Sequence, residues 1–372
     1  MADNQPGNEK TPLESRLIDL IRLKGPITVE DFMTDALSHP HEGYYMSKPA
    51  IGVDGDFTTA PEISQIFGEL IGLWLVDAWR MIGAPDDFNL IELGPGRGVL
   101  MEDILRAARI RSGFIDASKL WLVETSGRLR VDQQKRLRAS EVKPNWVDDI
   151  SMIPPAGSLV IANEFFDCLP IRQFICTDNG WRERLVGIDE KTQSLSFVHD
   201  TTPPPASYNL PAADTAEPGD IFEISFQAQE FMAQLAQMLR DNSGVALIVD
   251  YGHFHSGFGE TLQAVRKHEF APVLEAPGRA DLTAHVDFEK LSAIAIDNGL
   301  AVYGPCAQGD FLERLGLNVR VEMLAKSKSA EQAKSIRDGA YRIAAPNQMG
   351  EVFKVMAITA PGIDAPAGFF DQ

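Results

Sequence analysis

The sequence is poor in cysteine and in basic side chains, and it has no long apolar run. Its three cysteines, Cys168, Cys176 and Cys306, are widely spaced and form no CxxC pair, which excludes a zinc ribbon and a dithiol redox motif. Dispersed thiols in odd number suit a reducing compartment better than a disulfide framework. Lysine and arginine number 34 against 53 aspartates and glutamates, a formal net charge of -19. A surface of that sign repels phosphate backbones and anionic lipid, so nucleic acid is not expected as a partner, while a basic peptide would be attracted. No stretch approaches the roughly 20 apolar residues that cross a bilayer, and no membrane span is expected. Residues 1–14 lack both the apolar core of a signal peptide and the arginine bias of a transit peptide. A cytoplasmic protein is the expectation these absences set.

What the sequence does carry is apolar patterning in two periods. Leu13, Leu17, Leu20, Ile21 and Leu23 predict a helix stopped by Gly25-Pro26, and residues 29–37 predict a second, shorter one. Residues 1–10 read as a polar tail and residues 40–56 as a loop. Thr59 and Glu62 have the spacing of a capping box, and the apolar face from Ile63 to Leu75 predicts one helix behind them. Short apolar runs at 88–93, 120–123, 146–147, 159–162 and 245–249 predict strands that alternate with helical segments. That alternation predicts an α/β fold, a Rossmann-like parallel sheet with helices on both faces. Residues 171–199 break the rhythm with three strand-like runs and a hairpin turn at Asn179-Gly180, and a proline-rich loop over 203–218 follows. The expected organisation is a helical extension over 1–85 covering the ligand site and a core over 86–360. The core carries a β-rich insertion at 171–220 and an irregular substrate-side lid at 251–285, and a tail follows at 361–372.

The most informative stretch is Glu92-Leu93-Gly94-Pro95-Gly96-Arg97-Gly98, directly behind a strand and ahead of a helix. A dinucleotide fingerprint needs GxGxxG, and Val99 occupies the position of its last glycine. Glycines at alternate positions instead let the chain pass close beneath the methionyl part of S-adenosylmethionine, where a Cβ would collide. Glu124 ends the next strand, where a carboxylate can accept from both ribose hydroxyls of an adenosine. Asp148 follows the third strand and either accepts from the adenine amino group or caps the residues behind it.

Several segments resemble the MidA family of methyltransferases: GDFTTAPEISQIFGE (55–69), ELGPGRGVLMEDILR (92–106), ANEFFDCLPIRQF (162–174), DYG (250–252), DLTAHVDF (281–288), QGDFLERLGL (308–317) and MGEVFKV (349–355). The resemblance implies a class I methyltransferase core, S-adenosyl-L-methionine as cofactor, and symmetric dimethylation of a protein arginine. A subunit of respiratory complex I is the acceptor it suggests.

Methyl transfer from a sulfonium is an in-line displacement, so positioning the acceptor supplies much of the catalysis. Arginine is a poor nucleophile because its charge is delocalised. A carboxylate held against two guanidinium nitrogens would localise that charge and leave lone-pair density on the third. Glu164, behind the fourth strand, is the first candidate for that role, and Asp167 the second. Asn163 is placed to contact substrate or the methionyl amine. The other reading of NEFFD (163–167) is a capped turn whose Phe165 and Phe166 pack in the core. The helix entered at Thr59 is expected to present its N-terminus, with Thr59 and Ser64, to the methionyl carboxylate. His253 and His255 flank Phe254 without a third ligand at a persuasive spacing, so no metal site is expected. His285 is a candidate lid residue with Asp281 nearby. A small-molecule methyltransferase and a non-catalytic assembly factor are the competing functions.

Overall fold

The structure is a computed structural model that describes residues 10–47 and 58–369. Residues 1–9 of the expected tail over 1–10 and most of the expected loop over 40–56 lie outside the described residues, as do residues 55–57 of the first family-like motif.

Seven strands build the core sheet: β1 (Phe88–Leu93), β2 (Ser118–Val123), β3 (Asn145–Val147), β4 (Ser158–Asn163), β5 (Gly244–His253), β6 (Ala301–Ala307) and β7 (Phe353–Thr359). Their spatial order is β6-β7-β5-β4-β1-β2-β3, and the short strand Val286–Asp287 pairs with the far end of β5. Strands β3, β2, β1, β4 and β5 are mutually parallel, and β7 runs antiparallel between β5 and β6. The order of connection reverses between β1 and β4. The carboxyl ends of those two strands are therefore the mouth of the crevice in which a doubly wound sheet binds its ligand.

Successive strand residues face opposite sides, and both sides are apolar. Leu90, Leu159 and Leu247 pack on one face beneath the helices Gln65–Met81 and Val99–Ala108. Ile91, Val160, Ala246 and Ile248 pack on the other beneath Phe226–Asn242 and Phe288–Asp297. The first two helices approach closely enough that a Cβ on Gly72 would lie 2.8 Å from the Ile104 carbonyl oxygen, so only glycine fits there.

The structure departs from the sequence-based expectations at six places. The helix expected from Thr59 is broken: Ala60–Ile63 forms a single turn, Ser64 is extended, and Gln65–Met81 is the real helix, capped by Ser64 Oγ, which accepts from the Ile66 N–H at 3.4 Å. Thr59 makes no side-chain cap, and Glu62 turns instead toward Arg97 at 3.5 Å, so the capping box does not form. Strands β6 and β7 escaped the pattern. Gly304-Pro305 interrupts β6, which a strand tolerates at a sheet edge where it bulges, and Lys354 interrupts the apolar run of β7. The hairpin turn is shifted by one residue: Thr177 pairs with Gly180, leaving Asp178 and Asn179 as the loop. The lid is not irregular, since Gln263–Arg266, Glu269–Ala271 and Asp281–Thr283 form a three-stranded sheet. The described part of the expected tail, residues 361–369, docks, with Phe369 buried against Phe311 and the Trp74 indole N–H donating to the Ala367 carbonyl at 2.9 Å.

The insertion folds as a separate sheet. Arg172–Thr177, Gly180–Ile188 and Leu195–His199 are joined by Ile221–Ile224, and Ile27–Thr28 from the N-terminal region adds an edge strand. One apolar cluster unites the helices Pro12–Lys24 and Val29–Ser38 with this sheet and with Leu262, Leu282 and Ala284 of the lid. The three additions therefore share one apolar core.

Candidate active site

Behind β1 the chain turns through Gly94 (φ 58), Gly96 (φ 51) and Gly98 (φ 77), a left-handed run that residues with a Cβ rarely adopt. Gly94 also packs under Phe165, whose ring carbon would stand 3.0 Å from an added Cβ. Gln133 clamps this loop, its Nε2 donating to the Gly96 carbonyl at 2.8 Å and to Glu124 Oε2 at 3.2 Å. The other Glu124 oxygen accepts the Ser126 N–H at 2.8 Å. Burial raises the Glu124 pKa, and these hydrogen bonds oppose the shift. Glu92, on β1 next to it, is pushed up to about 8 by burial and by the Glu124 charge, and its Oε2 is buried without a partner. Asp148, behind β3, is exposed and paired with Arg130 at 2.6 Å. The cap that could have explained it belongs to Asp149, which accepts the Ser151 N–H at 2.8 Å.

Behind β4 the chain makes a tight turn that begins with Glu164 at φ 51, a left-handed conformation unusual for a residue with a side chain. Such strain persists only where surrounding structure enforces it. Here Asp250 of β5 does so: its Oδ2 accepts the N–H groups of Phe165, Phe166 and Asp167 at 3.1, 2.9 and 3.3 Å, and its Oδ1 accepts that of Tyr251 at 2.9 Å. Glu164 N–H donates to the Val249 carbonyl at 2.9 Å. The turn is thus locked to the neighbouring strand, with Phe165 and Phe166 packed against Phe231 in the core.

Glu164 Oε1 accepts from the Asn163 amide at 3.1 Å and from the Ala60 N–H at 3.3 Å, while Oε2 is buried with no partner. Asp167 Oδ1 and Asn163 Oδ1 are buried and unpartnered as well. Burial, then the Asp167 charge, pushes the Glu164 pKa up to about 8, and burial pushes Asp167 up to about 6 against a hydrogen bond from Tyr251. Asp250 is raised well above the usual carboxylate range by burial and by Asp167 and Glu164. Asp281 of the lid joins them, accepting from the Tyr45 hydroxyl at 2.7 Å and adding to the rise at Glu164. Among the described residues no lysine or arginine pairs with Glu164, Asp167 or Asp250.

Sequence reasoning named Glu164, Asp167 and Asn163, and the fold brings them to one turn. It noted Asp250 only within a motif and Asp281 only as a neighbour of His285, and it missed Tyr45. That residue ties the N-terminal segment to both sites, since its carbonyl accepts from Ser126 Oγ at 3.0 Å. Ser64 serves as a helix cap, and the N-terminal turn reaches the site through the Ala60 N–H. His253 and His255 lie 4.0 and 3.6 Å from Asp287 and Glu289 respectively. Among the described residues no group of three or more histidines, cysteines or acids is arranged to hold a metal.

A parallel sheet with an antiparallel seventh strand, a glycine turn at its switch point and an acidic end to the adjoining strand define the fold of the class I S-adenosylmethionine-dependent methyltransferases. Residues 70–306 match the family described as "Putative S-adenosyl-L-methionine-dependent methyltransferase", and the chain belongs to that family. It is 36% identical to the Xenopus laevis "Protein arginine methyltransferase NDUFAF7, mitochondrial", over 93% of this chain and 84% of that protein. The Homo sapiens protein of the same name is 35% identical over 95% of this chain and 85% of its own length. A Burkholderia thailandensis structure with S-adenosyl-homocysteine bound superposes with a TM-score of 0.83 at 24% identity, covering 96% of this chain and 93% of the other. A native Burkholderia thailandensis structure gives 0.82 at 26% identity, covering 97% and 94%.

The expectation of a cytoplasmic protein is overturned by these relatives, which are mitochondrial proteins. It rested on a polar, arginine-poor N-terminus, and that feature does not decide the compartment. No helix among the described residues is long and apolar enough to cross a membrane.

The site fits S-adenosyl-L-methionine, the cofactor of the family. The orphaned oxygens of Glu92 and Asn163 flank the glycine turn, and Glu124 stands at the strand end beside it.

Proposed function

We propose that the protein methylates arginine in another protein, to the symmetric dimethyl form, and that its acceptor is a protein of the respiratory complex I type. The observation that carries this reading is the pair of buried carboxylates, Glu164 and Asp167, each with an oxygen lacking a partner and neither with a cation beside it. Burying unpaired carboxylates is costly, and a site that does so is built for a cationic guest. A guanidinium presents parallel N–H donors that suit two such oxygens. The names of the curated relatives support the same acceptor class.

The reading assigns roles as follows. Gly94, Gly96 and Gly98 leave room for the methionyl part of the cofactor, Glu124 holds the ribose, and Asp148, whose Oδ1 is paired with Arg130, offers Oδ2 to the adenine amino group. Glu92 and Asn163 meet the methionyl end, with Thr59 and Ser64 on the N-terminal side. S-adenosyl-L-methionine supplies the methyl group as a sulfonium. Glu164 and Asp167 fix two guanidinium nitrogens and draw the positive charge toward them, which leaves the third nitrogen the better nucleophile. The bound guanidinium displaces the proton that Glu164 holds in the free protein, and when the methylated nitrogen loses a proton the carboxylate, whose proton affinity burial raises, is placed to take it. Asp250 acts by holding the turn.

The test is direct. Purified protein with cofactor and arginine-containing peptides should yield dimethylarginine, with the symmetric isomer identified by its fragmentation in mass spectrometry. Complex I subunits from cells with and without the gene should differ by two methyl groups at one arginine. Tight cofactor binding with no transfer to any arginine would defeat the proposal.

A further inference from the structure

Beside the carboxylates lies a cavity of about 450 Å³. Its walls include Tyr208, Phe222, Phe226, Phe258, Phe166 and Leu291. They come largely from the insertion and lid and from the sheet and helix ends those additions cover. We propose that this cavity receives an aromatic or aliphatic side chain flanking the acceptor arginine, within about three residues of it along the chain. The inference rests on the arginine reading and adds to it a basis for choosing among arginines.

The cavity's two acids, Glu223 and Asp287, which would otherwise call for a cationic guest, are already bound. Glu223 Oε1 accepts from the Gln173 amide at 2.7 Å and from the Thr261 and Leu262 N–H groups at 3.1 and 3.3 Å, and its Oε2 accepts from the Thr261 hydroxyl. Asp287 accepts from the Lys290 N–H at 2.9 Å and from the Ser256 hydroxyl at 2.6 Å. Ser225 donates to the Pro170 carbonyl at 2.8 Å, and the Tyr208 hydroxyl is held by Arg172 at 2.6 Å. A cationic guest would lose its water and find these acids engaged, whereas an aromatic or aliphatic one gains by burial against the apolar walls. The contrast with the carboxylates is the point: there the acidic oxygens are unpartnered, here they are satisfied.

The two receptors share a wall. Phe166 and Ala284 line the cavity. The Phe166 N–H is bound by Asp250, and the Ala284 N–H donates to the Asp167 carbonyl at 2.9 Å. A peptide that places its arginine on Glu164 and Asp167 therefore carries a neighbouring side chain across the cavity. At its aromatic wall Phe258 is 40% exposed although it packs with Trp181 and Phe222, an aromatic surface open to a partner.

Two capped peptides test this, identical except for phenylalanine or alanine at the positions around a single arginine. With the wild-type protein and saturating cofactor, the phenylalanine peptide should have a KM lower by about tenfold or more at similar kcat, the signature of binding shared by ground and transition states. Phe258→Ser and, separately, Phe222→Ser should erase the difference between the peptides. Calorimetry with the same peptides reads binding without turnover. Equal KM values for both peptides in the wild type overturn the inference while leaving arginine methylation standing. A preference that survives both substitutions also overturns it. If neither peptide is methylated, tighter binding of the phenylalanine peptide that Phe258→Ser abolishes supports the cavity while the arginine reading falls. Equal binding overturns the cavity as well.

Discussion

Glu164→Gln makes opposite predictions for stability and for catalysis. In the folded protein the Glu164 pKa stands at about 8, against 4.5 for a free side chain. Between those values the unfolded chain is ionised while the folded chain keeps its proton, so the folded state binds one proton more. Raising the pH through this window then favours unfolding, by about 1.4 kcal/mol per pH unit for this one group. The accumulated penalty at pH 7 is roughly 3 kcal/mol by the same linkage. Glutamine cannot ionise, so the variant should lose this component of the slope. A constant cost of about 1–3 kcal/mol for placing an amide where Oε2 has no partner offsets part of the gain, but it does not vary with pH. Urea unfolding at pH 5.5, 6.5 and 7.5 should show a shallower decline for the variant than for the wild type. Methyl transfer should fall by about two to four orders of magnitude, as expected on removing one placed charge that also handles a proton. Cofactor affinity, read by calorimetry, should stay within a few-fold. An unchanged pH slope would refute the buried, protonated Glu164, and a full transfer rate would remove it from the acceptor site and direct attention to Asp167.

Glu124→Gln should weaken S-adenosyl-homocysteine binding by about ten- to a hundredfold, the value of a charge-assisted hydrogen bond, with a much smaller effect on the rate at saturating cofactor. Unchanged affinity in calorimetry would remove Glu124 from the ribose. Asp250→Asn keeps the size of a side chain that accepts four N–H groups, yet its amide must face at least one of them. It should cost about 2–4 kcal/mol in denaturant unfolding and lower transfer through the 164–167 turn, and a variant as stable as wild type would show the turn to be held by other contacts.

The elements that were legible in the sequence are those whose cause is local. The run 88–93 is apolar at four of its six positions because β1 is covered on both faces, and the glycines behind it mark a backbone that turns left-handed. The helices at 12–24 and 29–38 carry their apolar stripe and their threonine caps in sequence. Where local signals conflicted with packing, packing won. Ser64 breaks the expected helix because it caps the second segment, and Gly304-Pro305 lies in a strand because the sheet edge requires no complete ladder.

The sequence by itself determined the strand–turn–helix unit at 88–108 and the acidic or amide ends of the strands, because dihedral preference and face periodicity act over a few residues. Only the tertiary structure decided that Glu164, Asp167, Asp250 and Asp281 meet in one buried cluster with Tyr45 alongside. Glu164 and Asp167 stood out within one segment, but nothing local joins them to Asp250, Asp281 or Tyr45. Their raised proton affinities come from mutual proximity out of water, and desolvation and like-charge coupling are properties of the assembled site that no local pattern encodes.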